Sequence, residues 1–169
     1  MAAWPRFLAT FAPNLPSNAV QIGWKIGWQL PVLEERLRDA SDPTLVHGDY
    51  RAENLLFGPT NDEEGFAVLD WEGISAGNGL YDVAYFLITS VDAALRRREE
   101  PALLGSYAML AGLGGAAVHR SYALACCTAI SQVVLAADDL SRGTRRQRSL
   151  AQALAHRVLA GLADVRLPL

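Results

Sequence analysis

Residues 45–86, LVHGDYRAENLLFGPTNDEEGFAVLDWEGISAGNGLYDVAYF, constrain this chain more than any other stretch. Three short apolar runs, at 44–46, 55–57 and 66–69, lie between polar clusters and are too brief for helices, the pattern of short strands. The second and third are joined by GPTNDEEG, which predicts a β-hairpin with an exposed acidic tip where Glu63 and Glu64 serve solubility. The polar clusters at 47–54 and 70–72 then fall at strand ends, where a scaffold holds loop side chains firmly enough for chemistry. Asp49 stands five residues before Asn54, Asp70 closes an apolar run, and Asp82 begins a helical pattern. Two acids and an amide so placed suit a Mg²⁺-dependent phosphoryl-transfer site, because Mg²⁺ prefers hard oxygen donors. Each alone would read as a turn or capping residue.

The flanks read as helices. Residues 1–16 carry three prolines and no sustained period, so they read as a connecting segment with at most a short helical turn. Ser17 or Asn18 can cap a helix whose face is Val20, Trp24, Gly27 or Trp28, Leu30, Leu33 and Leu37, with a restart or kink at Pro31 and a stop at Ser41-Asp42-Pro43. The polar residues Glu34, Glu35, Arg36 and Arg38 form its solvated side. GISAGNG, 73–79, is a loop by composition, with Asn78 as N-cap of the next helix. Leu80, Val83, Ala84, Leu87, Ile88, Val91 and Leu95 give that helix an apolar stripe, ended by the charged run before Pro101. Further helices are expected at about 101–111 (burying Leu103, Leu104, Tyr107 and Leu110), 118–140 and 144–163, after a Gly-rich break at 112–115. The fold class is α+β and mostly helical, a small hairpin region followed by a helical half.

Bulk properties narrow the function classes. A chain of 169 residues with 51% apolar and 20% charged residues can bury one proper core. A net charge of −3 gives no reason to expect a nucleic-acid partner, and the basic run Arg142, Arg145, Arg146 and Arg148 lacks interleaved aromatics. Adjacent Cys126 and Cys127 build no disulfide framework and are expected as small core residues in a reducing compartment. The N-terminus lacks a basic region before a long apolar core, and no run is expected to reach the apolar length needed to span a bilayer, so a cytoplasmic protein without membrane contact is expected. His119 and His156 lack partners at zinc-ligand spacing. Trp24, Trp28 and Trp71 raise the thought of an aromatic cage, against ordinary packing. Asp138 and Asp139 read as acids ending a helix in water ahead of acids lining a cation-binding groove, Arg51 as an exposed loop residue ahead of one approaching phosphate or substrate, and Glu72 as either a partner near the metal or a solvated acid.

His47-Gly48-Asp49-Tyr50-Arg51-Ala52-Glu53-Asn54, followed by Leu69-Asp70-Trp71-Glu72 and by Tyr81-Asp82-Val83-Ala84 at a helix start, resembles the aminoglycoside phosphotransferase and choline-kinase-like family. The likeness is specific across 45–87, while the later helices match only in order and length. It implies a protein-kinase-like fold, ATP as phosphoryl donor and Mg²⁺ as cofactor. It further implies Asp49 as catalytic base, Asn54 and Asp70 as metal ligands, and His47 and Asp82 as supports of the catalytic loop.

Departures from the pattern refine what the resemblance implies. Gly79 stands where Pro is common. No Gly-rich phosphate loop precedes His47, and Lys25, the only lysine, falls in a helical pattern rather than on a strand. The expectation is therefore a single kinase-like C-terminal lobe over 1–169, lacking an N-terminal nucleotide lobe. Its parts are a connecting segment and helix (1–43), a catalytic loop and metal-binding hairpin region (44–79) and a helical subdomain (80–169). Gly48 occupies the place of the protein-kinase Arg that pairs with a phosphorylated loop, and only eleven residues separate Asp70 from Asp82, too few for a long activation loop. The expected partner is a small hydroxylated acceptor. The alternative is a non-catalytic binding or scaffold module, and a metal-dependent phosphohydrolase ranks third. Neither the acceptor nor the oligomeric state follows from the sequence.

Overall fold

The structure, a computed structural model, describes residues 3–11, 17–58 and 65–164. Helices dominate: α1 (Ala3–Phe11), α2 (Ser17–Arg38), α3 (Leu80–Ser90), α4 (Ala93–Ala111), α5 (Gly115–Leu140) and α6 (Arg145–Asp164). Between α2 and α3 lie four three-residue strands, β1 (Thr44–Val46), β2 (Leu55–Phe57), β3 (Phe66–Val68) and β4 (Ser75–Gly77). They form two separate antiparallel pairs, β1 with β4 and β2 with β3. The mostly helical α+β class is thus observed. The hairpin register sets Leu55 opposite Val68 and Phe57 opposite Phe66. Its tip, with Glu63 and Glu64, lies outside the described residues, as do the cap side chains considered at Ser17 and Asn18.

Helix α5 is the centre of the core, packed against α3, α6 and α2. Its small residues Ala125, Cys127, Ala129 and Ala137 are fully buried, which lets neighbouring helices approach closely, and Val118, Tyr122, Ile130 and Val133 fill the space between. Both cysteines are buried and unbridged, as expected. Burial pushes the Cys127 thiol up to about 12, so it is protonated and inert at neutral pH. In α6, Leu154, Val158 and Leu162 are buried on the expected stripe. One expectation is corrected here. By length and composition α5 is apolar enough to cross a bilayer, although 61% of its apolar window is buried inside the protein. That is the signature of a core helix covered on several sides.

Other departures have local causes. Residues 3–11 form a full helix rather than a connector: Pro5 sits in the first turn, where its missing N–H costs nothing, and Trp4 and Phe7 are buried. Helix α2 runs through Pro31, and its buried face is Ile26, Leu33 and Leu37 while Trp28 is 74% exposed, so the stripe is rotated from the expected one. The α3–α4 break falls at Val91–Asp92, ten residues before Pro101, because the Asp92 carboxylate accepts from Ala94 N at 2.9 Å and Leu95 N at 3.3 Å. Within α4 only Leu104 of the expected apolar set is buried, and Leu110 is 84% exposed. Residues 75–77 were expected as loop. They become β4 because β1 offers them a ladder partner distant in sequence.

Asp138 also departs from expectation. It is 6% exposed and gripped by two arginines, Arg6 of α1 at 2.6 Å and Arg142 beyond α5 at 2.6 Å. The Arg6 guanidinium above all holds its carboxyl below the usual range. This clamp ties α1 to the end of α5 and fixes the α5–α6 corner, which the site below uses.

Candidate active site

The candidate site is built on a tightly braced turn, 47–49, at the end of β1. Asp82 in the first turn of α3 aims both carboxylate oxygens at it, accepting from His47 N at 2.7 Å and from Gly48 N at 3.0 Å. The helix macrodipole favours an acid in that first turn, so the residue is stabilised by its helix while it holds the loop. Asn78, one position before the α3 cap, accepts from Leu80 N at 3.1 Å and donates to Leu37 O at 3.2 Å, pinning the helix entry to α2. At Gly79 a Cβ would lie 2.7 Å from the Tyr107 hydroxyl and 3.1 Å from Thr44 Cγ2, so a larger residue there would require these two side chains to shift.

His47 is 2% exposed and binds on both sides. Its Nδ1 accepts from Asp49 N at 3.2 Å, and a backbone N–H can only donate, so the ring proton is on Nε2 and is donated to Leu69 O at 2.8 Å. The imidazole therefore joins the Asp49 turn to the chain entering Asp70. Trp71 covers it with ring centroids 4.7 Å apart, and the indole N–H donates to Val68 O at 2.9 Å. Gly48 has φ +86°, and a Cβ there would lie 2.8 Å from Gly73 O. Gly48→Ala should therefore lose about 1–2 kcal/mol from the left-handed backbone alone, with the Gly73 clash added. A urea-unfolding midpoint equal to that of the parent would refute this.

Asp49 and Asn54 are brought together as their spacing suggests. Asn54, 7% exposed at the end of a 3₁₀ turn, donates Nδ2 to Asp49 O at 2.9 Å and to Asp49 Oδ2 at 3.0 Å. Because the amide is planar, its carbonyl oxygen faces away from Asp49. Arg51, read from sequence as an exposed loop residue, donates Nε to the same Oδ2 at 3.1 Å. The turn is further anchored by Ala52 N donating to Ser90 Oγ at 2.8 Å.

Asp70 follows in register. Leu69 N donates to Asn54 O at 2.8 Å, so the strand ladder brings Asn54 level with the residue before Asp70. Asp70 is the one described non-glycine residue with positive φ (φ 64°, ψ 59°), a conformation Asp tolerates and one that clusters at functional sites. Among the described residues its carboxylate makes no hydrogen bond or ion pair. No group of three or more His, Cys, Asp or Glu is so placed among them that it could hold a metal ion by itself. A cation here would have one carboxylate and one amide oxygen from the protein. That sparse oxygen set fits Mg²⁺, which fills its remaining positions with water and phosphate oxygens.

A cleft of about 310 Å³ opens beside Asp49 and Arg51, under the α5–α6 corner. Tyr85, three residues after Asp82 on α3, is at its floor. Burial first, then the charge of Asp49, raises the Tyr85 phenol and keeps it protonated. Sequence reading missed Tyr85, although its 3.6-period relation to Asp82 was the available signal. A second cavity of about 340 Å³, between α2 and β4, reaches Gly48 but not Asp49. Among the described residues Trp24, Trp28 and Trp71 make no ring contact with one another, so no aromatic cage forms. Glu72 is exposed in a 3₁₀ turn.

The chain is 30% identical over 80 residues to a probable acyl-CoA dehydrogenase, IBR3, of Arabidopsis thaliana, covering 47% of this chain and 10% of that protein. It is 45% identical over 47 residues to acyl-CoA dehydrogenase family member 11 of Gallus gallus (28% of this chain, 6% of that protein). With family member 10 of Mus musculus it shares 55% over 42 residues (25% and 4%). The chain thus spans a tenth or less of these relatives. The model of the phosphotransferase enzyme family, APH, matches residues 2–124, which include the whole braced turn, the hairpin and α3. On that match, the chain belongs to the phosphotransferase enzyme family.

Proposed function

We propose that the chain is the C-terminal lobe of a protein-kinase-like small-molecule kinase that O-phosphorylates a hydroxylated acceptor using ATP and Mg²⁺. The observation carrying this reading is the shared hold of Asn54 on Asp49, which orients the carboxylate and turns the amide oxygen outward beside the uncommitted Asp70. Support for a nucleotide-facing surface comes from the hairpin, where Phe57 is 74% exposed and Leu56 53% exposed next to Asn54. Such apolar area suits a purine face and a second lobe. A cytoplasmic setting, where ATP is plentiful, fits the two unbridged cysteines.

Bound ATP and Mg²⁺ supply the transferable phosphoryl group and neutralise its charge. The protein's own contribution is positional. Arg51 and Asn54 hold Oδ2 of Asp49 and the Tyr85 phenol stands against the same carboxylate, which orients it to receive the acceptor's proton. The acceptor oxygen then bonds to the γ-phosphorus as the bond to the β,γ-bridging oxygen breaks, and ADP leaves. Asp82 and His47 keep Asp49 in place without touching the reacting atoms.

Calorimetry of the 169-residue chain with Mg-ATP tests the reading. Binding is expected to weaken at least tenfold in Asp70→Asn and to vanish when Mg²⁺ is chelated. No Mg-ATP binding by the parent chain would favour the alternative of a non-catalytic kinase-like binding module.

A further inference from the structure

The cleft beside Asp49 says what kind of alcohol it takes. Its walls are Val133, Ala136 and Leu140 from α5 and Leu150 and Leu154 from α6, so the side opposite Asp49 is aliphatic. At about 310 Å³ it lies at the small end of ligand sites, too small for a multi-ring sugar to enter whole. Among the described residues, each carboxylate around it already has an arginine partner. Asp49 pairs with Arg51 at 3.1 Å, and Asp139, at the rim, pairs with Arg142 at 3.5 Å. Asp138, just behind the wall, is held by Arg6 and Arg142. A polyammonium ligand would face the charge of these guanidinium groups. The Asp138 clamp also holds the α5–α6 corner in place, so the wall is preformed rather than assembled around a ligand.

We infer that the acceptor is an alcohol carried on an alkyl body, which lays its chain along the α5–α6 wall and presents its hydroxyl to Asp49. This rests on the reading of Asp49 as the base. Among the described residues lining the cleft, Tyr85 contributes the one neutral polar side chain, so a second hydroxyl or carbonyl near the reacting carbon is matched. Chain length is then the main source of affinity, because each methylene moved from water onto the aliphatic wall adds a similar increment.

Calorimetric titration of the 169-residue chain with 1,2-alkanediols of four to eight carbons, without nucleotide, tests the inference. Affinity is expected to rise about fourfold per added methylene until the cleft is full, and to change little with salt. Neamine, a polyammonium aminosugar, should bind more weakly than octanediol and lose what binding it has as salt is raised. Ala136→Asp places a charge in the half-buried wall and should reduce octanediol affinity at least tenfold. Leu150→Ser, on the opposite wall and also half-buried, gives the same reading if Ala136→Asp fails to fold. Neamine binding tighter than octanediol, or no dependence on chain length, would overturn the inference. So would a chain-length dependence that survives both wall variants, since the diols would then sit elsewhere. Because nucleotide is absent, such failures leave the Mg-ATP result standing, and a failed Mg-ATP titration leaves the diol result readable.

Discussion

Asp49→Asn should lower phosphoryl transfer from Mg-ATP about 10²–10⁴-fold, the range removed with a positioned general base, while Mg-ATP affinity moves by less than threefold. The amide is nearly isosteric and can still accept from Asn54 Nδ2, now held at 3.0 Å from Oδ2, so the loop is expected to keep its shape. What disappears is the group proposed to accept the proton of the acceptor hydroxyl. The split between turnover and nucleotide binding matters, because a merely structural acid would lose both together. Single-turnover transfer followed by ³¹P NMR, with calorimetry on the same preparations, measures the two. Equal transfer rates for parent and variant would remove Asp49 from the chemistry.

Asp82→Ala should cost on the order of 3 kcal/mol, since it leaves two backbone donors without their partner and an unsatisfied buried group costs about 1–3 kcal/mol. The donors are His47 N at 2.7 Å and Gly48 N at 3.0 Å. Loss of this support is expected to release the turn that carries Asp49, so activity falls without any change in the reacting groups. Asp82→Asn is the informative companion. Its one carbonyl oxygen can serve one amide while its NH₂ faces the other, so it should recover little. Urea unfolding gives the stability change, and hydrogen exchange at the His47 and Gly48 amides locates it. An unfolding midpoint unchanged in Asp82→Ala, with both amides still protected, would show that the loop is held by other means.

Much of the site was legible because its parts are local. Asp49 and Asn54 lie five residues apart on one short turn, and a 3₁₀ step is enough to bring the amide onto the carboxylate. Apolar periodicity likewise located α5 and α6, whose faces are decided within each helix. Helix ends were less legible, because a cap outweighs a proline: Asp92 ended one helix and began the next, while Pro31 and Pro101 were absorbed. Asp138 was misread as a solvated end because its partner Arg6 lies 132 residues away. Strand β4 was misread as loop because composition cannot supply the distant ladder partner that makes GISAGNG extended.

The sequence by itself therefore determined the residues of the candidate turn, the hairpin beside it and the helices behind it, since each depends on spacings within one element. Only the tertiary structure decided that Asp82 reaches 35 residues back to the turn and that His47 joins it to Leu69. It alone placed Tyr85 and the α5–α6 wall beside Asp49 and paired each nearby carboxylate with an arginine. The physical reason is that contacts between elements depend on how helices pack. Helix packing is a property of the whole core, so a short motif is legible in the sequence while the wall that distant helices place beside it is not.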